Sequence, residues 1–264
     1  MTFTESLYWF ILKAKKAKVK LEQDMKLVDK MIEKKNNLST CEGVTIAFLG
    51  DSVTQGCFEI FHDEKGEIET VYDKRYSYEM YLLEILNMLY PRVTVNIINA
   101  GISGDKAPRG LERLDRDVLR HEPDLVVVCY GLNDCRKREN SMSDYTKALE
   151  EIFKKVKAAG CELIFMTPNM MNTMVSPHIA DKEFAILAKG TAEMQNDGTF
   201  DAHIEGAREV CRKMGVPVCD CYAIWKKLHE SGVETTELLS NKINHPTREM
   251  NKLFAYELAR VIFS

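Results

Sequence analysis

Residues 44–56, VTIAFLGDSVTQG, run a string of apolar and β-branched side chains into Gly50, Asp51 and Ser52. A buried strand that stops on a serine puts a hydroxyl beyond the carboxyl end of a sheet, where open parallel sheets hold their reactive groups. If Ser52 also opens a helix, free backbone N–H groups lie beside that hydroxyl. They can cap the helix, and they can stabilise an oxyanion formed next to the oxygen. The plain reading of Ser52 is therefore an N-cap after a glycine turn, and the chemical reading is a nucleophile. Three further stretches bear on the choice: NAGISGDKA at 99–107, YGLNDC at 130–135 and NHP at 244–246. The first two directly follow strand-like runs and the third precedes the last helical stretch, so all three are expected on the rim that carries Ser52. Taken singly, Gly104 permits positive φ in a tight loop, Asn133 is a turn residue, and His245 is a helix-start residue ahead of Pro246.

Taken together and in this order, the four blocks resemble those of the SGNH (GDSL-type) hydrolase family. The resemblance covers roughly residues 44–263 and leaves only the N-terminal helical stretch outside it. It implies that Ser52 is a nucleophile and His245 the general base that takes its proton and later protonates the leaving alcohol. It also implies that the N–H groups of Ser52 and Gly104 and the side-chain amide of Asn133 face a developing oxyanion. Asp51 orders the turn through backbone hydrogen bonds, and Asn99 and Asp134 brace the rim loops rather than touch substrate.

The family pattern breaks at one place. Most of its proteins carry an aspartate three residues before the histidine, and here that residue is Lys242, in LLSNKINHP. Three explanations compete. The site is a Ser–His dyad whose imidazole is oriented by a backbone carbonyl or by Asn241; or a carboxylate from elsewhere, such as Asp220 or Glu237, substitutes; or catalysis has been lost and binding kept. The first is favoured, because nucleophile, base and oxyanion donors act as a unit and a weakened third partner lowers the rate without abolishing it. His62 and His178 fall in the rim excursions but lack a matching context.

Other chemistries are disfavoured. There is no G-x-S-x-G elbow, no Walker A lysine, and no G-x-G-x-x-G opening a helix. The eight cysteines form no CxxC pair, and no HExxH occurs, so neither a metal nor a cofactor is expected. The cysteines in apolar runs, Cys129 and Cys161 among them, read as small hydrophobes of a reducing compartment. A formal charge of −4 argues against nucleic acid as a partner. The early apolar run precedes its lysines, the reverse of a secretory leader, and the chain is expected to be cytoplasmic.

These residues need a scaffold that brings distant strand ends together. Apolar strands are expected near 44–49, 93–98, 124–130, 161–167 and 216–220, and helices near 76–90, 108–121, 143–159, 200–214 and 247–262. That alternation predicts an α/β fold with three α/β/α layers around a doubly wound, flavodoxin-like, five-stranded parallel sheet. Residues 57–75 read as an excursion, and 168–199 as a long irregular connection. Residues 1–40 form an N-terminal helical extension and 41–264 the hydrolase domain. The extension carries nine lysines against five acidic residues, with Leu21, Met25, Val28 and Ile32 at helical spacing. Packing of this helix on the domain or on a second copy in a homodimer is favoured over membrane contact through residues 5–36. The expected function is a serine esterase acting on a small-molecule ester such as an acetylated sugar. The rivals are an inactive binding protein on the same fold and a lysophospholipase- or thioesterase-type lipid hydrolase docked through its N-terminal helix.

Overall fold

The computed structural model describes residues 25–136 and 141–264; residues 5–24 of the expected N-terminal helix lie outside the described residues. The strands are β1 (Val44–Gly50), β2 (Cys57–His62), β3 (Ile68–Tyr72), β4 (Val95–Gly101), β5 (Leu125–Cys129), β6 (Glu162–Met166) and β7 (Val218–Cys219). Five of them make one parallel sheet in the order β4-β1-β5-β6-β7, and β2 pairs antiparallel with β3. The chain steps outward from β1 to β4, then crosses back to β5 and proceeds the other way. Its topological switch point therefore lies between the carboxyl ends of β1 and β5, where ligands bind in sheets of this kind.

Strand side chains alternate between two cores, as a pleat with period two requires. Ile46 and Phe48 enter one buried cluster, while Ala47 and Leu49 enter the other. On the first face pack α3 (Tyr78–Leu89), α8 (Cys221–Glu230) and α9 (Arg248–Ile262). On the second pack α4 (Ala107–Asp117) and α5 (Ser141–Ala158), and α7 (Thr199–Met214) contributes to both. With apolar cover on each side, β5 is buried along its whole length, which is why LVVVC contains no polar residue.

The first described helix, α1 (Lys26–Asn36), has no capping side chain of its own. The Glu162 carboxylate from the start of β6 accepts the N–H groups of Lys26 and Leu27, at 2.8 and 2.7 Å. Leu27 and Met31 are buried, Met25 and Val28 pack at their flank, and Ile32 is 43% exposed. The expected stripe is thus rotated by about one residue, because helical spacing does not choose between two adjacent apolar ridges; contact with the sheet does.

One further expectation takes a definite form and another is corrected. The 57–75 excursion is the β2–β3 hairpin, turned by Asp63, whose carboxylate accepts the N–H groups of Lys65 and Glu67. Within 168–199 lies α6 (Lys182–Asn196), capped by Asp181, which accepts the N–H groups of Glu183 and Phe184. The structure also adds a helix to the expected set: α8 follows β7 directly, capped by Asp220.

Candidate active site

Strand β1 ends on a glycine for want of space: a Cβ on Gly50 would stand 2.0 Å from Thr54 Oγ1 and 2.8 Å from the Cys129 carbonyl oxygen. The next residue, Asp51, turns the chain by accepting the Val53 N–H at 3.0 Å, and Ser52 opens the short helix α2 (Ser52–Gln55). Asp51 is fully enclosed. Burial pushes its carboxyl up to about 7, with the nearby charges of Asp134 and Asp105 adding to the rise.

The loop after β4 is tied to the same corner. Ile102 donates its N–H to the Gly50 carbonyl, and Ser103 donates its N–H to Gln55 Oε1 at 2.6 Å. Gly104 has φ +73, and among the described residues nothing lies within 4 Å of where a Cβ on it would stand, so the glycine serves a left-handed turn rather than a tight contact. From the loop after β5, Asn133 donates through Nδ2 to the Asp105 carbonyl at 3.0 Å, and Asp134 accepts the Ala107 N–H at 2.9 Å. Asn99 donates to the Thr54 carbonyl and accepts the Gly101 N–H, bracing the Ser52 turn against β4.

His245 arrives from the far end of the chain. Its Nε2 lies 3.0 Å from Ser52 Oγ across a sequence separation of 193 residues. Its Nδ1 lies 2.8 Å from the main-chain oxygen of Phe58 in β2. A carbonyl oxygen only accepts, so Nδ1 carries the proton and Nε2 presents its lone pair to the serine hydroxyl. Ser52 is 3%, Asn133 4% and His245 5% exposed, so all three side chains are nearly enclosed. Burial holds the His245 imidazole down at about 4, opposed by the Phe58 hydrogen bond and the Glu59 charge.

Of the orienting groups expected from sequence, neither Asn241 nor Asp220 faces the ring. Asn241 Oδ1 accepts the N–H groups of Ile243, Asn244 and His245, at 3.0, 2.9 and 2.9 Å, and so shapes the loop beneath the histidine. Asp220 is occupied with Arg208, Thr167 and the cap of α8. Glu237 takes hydrogen bonds from Ser176 and Lys242. The oxygen that sequence reasoning could not assign is the Phe58 carbonyl, because every residue carries one and only the hairpin's path selects it. His245 is also not a helix start: α9 begins at Arg248 with Thr247 as its cap. The connection after β6 braces the histidine loop, with Asn169 Nδ2 donating to the Asn244 carbonyl at 2.9 Å. His62 is engaged by Asp181 and stacked on Phe184, and His178 lies beside Glu237. Among the described residues no group of three or more His, Cys, Asp or Glu side chains could hold a metal ion.

A doubly wound α/β/α sheet with a serine and a histidine meeting at its switch point is the architecture of the SGNH hydrolases. Residues 48–253 match the GDSL-like Lipase/Acylhydrolase family, and the chain belongs to it. Its relatives include an acetylxylan esterase of Geobacillus stearothermophilus, 25% identical over 135 residues, which are 48% of this chain and 60% of that protein. They also include thioesterase 1/protease 1/lysophospholipase L1 of Escherichia coli (strain K12), 38% identical over 72 residues, 27% of this chain and 34% of that protein. The matches thus span less than two thirds of either relative. The crystal structure of an acetylxylan esterase from Geobacillus stearothermophilus superposes with a TM-score of 0.61 at 20% identity, covering 84% of this chain and 94% of that one, and so shares the fold.

Proposed function

We propose that this protein hydrolyses small carboxylic esters, O-acetyl esters of carbohydrates among them, through an acyl-Ser52 intermediate. The observation that carries the reading is the line Phe58 oxygen, His245, Ser52 Oγ, with links of 2.8 and 3.0 Å. Both are hydrogen-bond distances, and the second lies within the range needed for proton transfer. In the first half-reaction Nε2 takes the hydroxyl proton as Oγ attacks the ester carbon. The oxygen that becomes negative is met by the N–H groups of Ser52 and Gly104 and by the Asn133 amide, and the imidazolium returns its proton to the departing alcohol. Water then follows the same path in reverse and frees the acid and Ser52.

The Phe58 carbonyl does half the work that an aspartate performs. It holds the tautomer and the ring plane, but it brings no full charge to stabilise the imidazolium. The low exposure of Ser52 and His245 favours a short acyl group, which reaches the hydroxyl without displacing the rim loops. The relationship to an acetylxylan esterase points the same way. The test is turnover of p-nitrophenyl acetate and longer acyl esters by the wild type and by Ser52→Ala. A clear wild-type rate on the acetyl ester, lost in the variant, is expected. Equal background rates in both proteins on every chain length would overturn the reading.

A further inference from the structure

We infer that Arg248 and Glu59 are positioning residues for His245, forming a clamp that holds the Phe58–Glu59 peptide so that its carbonyl faces Nδ1. This inference rests on the proposed esterase reading. The peptide that orients the imidazole is flanked by two side chains, and one guanidinium grips both. Arg248 donates to the two Glu59 carboxylate oxygens at 2.6 and 3.1 Å, a two-point pairing that fixes direction as well as distance. The same guanidinium lies 4.3 Å from the centroid of the Phe58 ring. Arg248 is also only three residues beyond His245, at the first position of α9 behind the Thr247 cap. The base and the carbonyl that aims it are therefore joined through one side chain, although 187 residues separate them in the chain.

Charge adds to the geometry. Arg248 Nε also lies 3.6 Å from Asp73, which pairs in turn with Arg75 at 3.3 Å, so the cluster sets two carboxylates against two guanidinium groups. The Glu59 charge acts on the buried ring, where it favours the imidazolium formed during proton transfer. An outlying carboxylate and a main-chain oxygen thus divide the two tasks that one aspartate performs elsewhere. Stability does not explain the arrangement. The Arg248 side chain is 28% and the Glu59 side chain 44% exposed, and ion pairs that wet contribute little to folding.

The test uses Arg248→Ala, Arg248→Lys and Glu59→Gln in the full chain, with p-nitrophenyl acetate kinetics, thermal melts and nitrogen NMR of the histidine rings, His245 being assigned with His245→Gln. We expect Arg248→Ala to lower kcat about tenfold to a hundredfold, with KM within about twofold and little change in melting temperature. Arg248→Lys recovers only part of the loss, because an ammonium lacks the planar fork. In the spectra His245 is the Nδ1–H tautomer in the wild type and a mixture of tautomers in Arg248→Ala. Wild-type kcat together with an unchanged His245 spectrum in both Arg248→Ala and Glu59→Gln would overturn the clamp. Should the wild type match Ser52→Ala in turnover, the esterase reading fails on its own. The ring spectra then decide the clamp alone: mixed tautomers in Arg248→Ala support it, and unchanged ones overturn it.

Discussion

The Nδ1–H of His245 donates to the main-chain oxygen of Phe58 at 2.8 Å, in the place where an aspartate would be expected. A carbonyl can be satisfied only by a proton on that nitrogen, so the lone pair of Nε2 is committed to Ser52. In the proposed reaction this sets the ring for proton abstraction, and among the described residues no carboxylate hydrogen-bonds to it. The missing charge has consequences for rate and for pH dependence.

The first concerns the acid limb of activity. Burial lowers the His245 imidazole from its ordinary value to about 4, so the neutral, competent base persists well below pH 6.5. The kcat/KM for a small ester should stay level from pH 8 to about 5.5 and fall with a midpoint near the lowered value. Between about 4 and 6.5 the unfolded chain binds a proton at this residue that the folded protein does not. This group's contribution to stability is therefore complete above 6.5 and declines as pH falls toward 4. A midpoint at the ordinary histidine value would show a solvated ring.

Restoring the family's aspartate should not help. Lys242 occupies that position with φ +57, and its ammonium bonds the Glu237 carbonyl at 3.0 Å and the Glu237 carboxylate at 2.9 Å. Because Nδ1 is already engaged, a carboxylate arriving at 242 must displace the Phe58 oxygen. We expect the kcat of Lys242→Asp to remain within about threefold of wild type. A tenfold increase would show that the carbonyl yields easily.

Asn133 separates a scaffold role from a donor role. Its Nδ2 donates to the Asp105 carbonyl at 3.0 Å, and an amide has a second N–H to offer. Asn133→Ala should lower kcat about a hundredfold if that second donor meets the oxyanion, with a stability loss of about 1 kcal/mol from the broken bond. Asn133→Asp keeps the shape but places an acceptor against the developing charge, so it should be slower than the alanine variant. A mere turn residue would tolerate aspartate.

Glu79 tests a buried acid beneath the site. One of its oxygens accepts from Ser77 and Asn99, while Oε2 has no hydrogen-bond partner among the described residues. Burial pushes this carboxyl up to about 7, so the folded protein holds a proton that the unfolded chain releases above 4.5. Wild-type stability is therefore reduced as pH rises between those values, and the reduction is complete above the upper one. Glu79→Gln removes the effect. In urea melts it should be more stable than wild type at pH 8, by up to about 3 kcal/mol, with the difference vanishing toward pH 4. A difference independent of pH would contradict a protonated Glu79.

The layered sheet was legible from the chain because its strands are nearly continuous apolar runs and its helices are long. The β2–β3 hairpin was not, since Glu59 and Glu69 interrupt two short strands, CFEIFH and IETVY, whose burial does not alternate regularly. The helix α6 was hidden by Gly190 and by the polar residues around it, although Asp181 was a readable cap. The helix α8 escaped notice because the strand before it has only two residues.

Residue type and order along the chain were enough to nominate Ser52, His245, Gly104 and Asn133, because a hydroxyl, an imidazole, a flexible backbone and an amide each have a chemistry that their letters declare. They also revealed that Lys242 had taken an aspartate's place. What answers that loss was decided only in three dimensions. A main-chain carbonyl is the same group at every residue, and it becomes the partner of one imidazole only when a hairpin folds back and presents Phe58 at the ring.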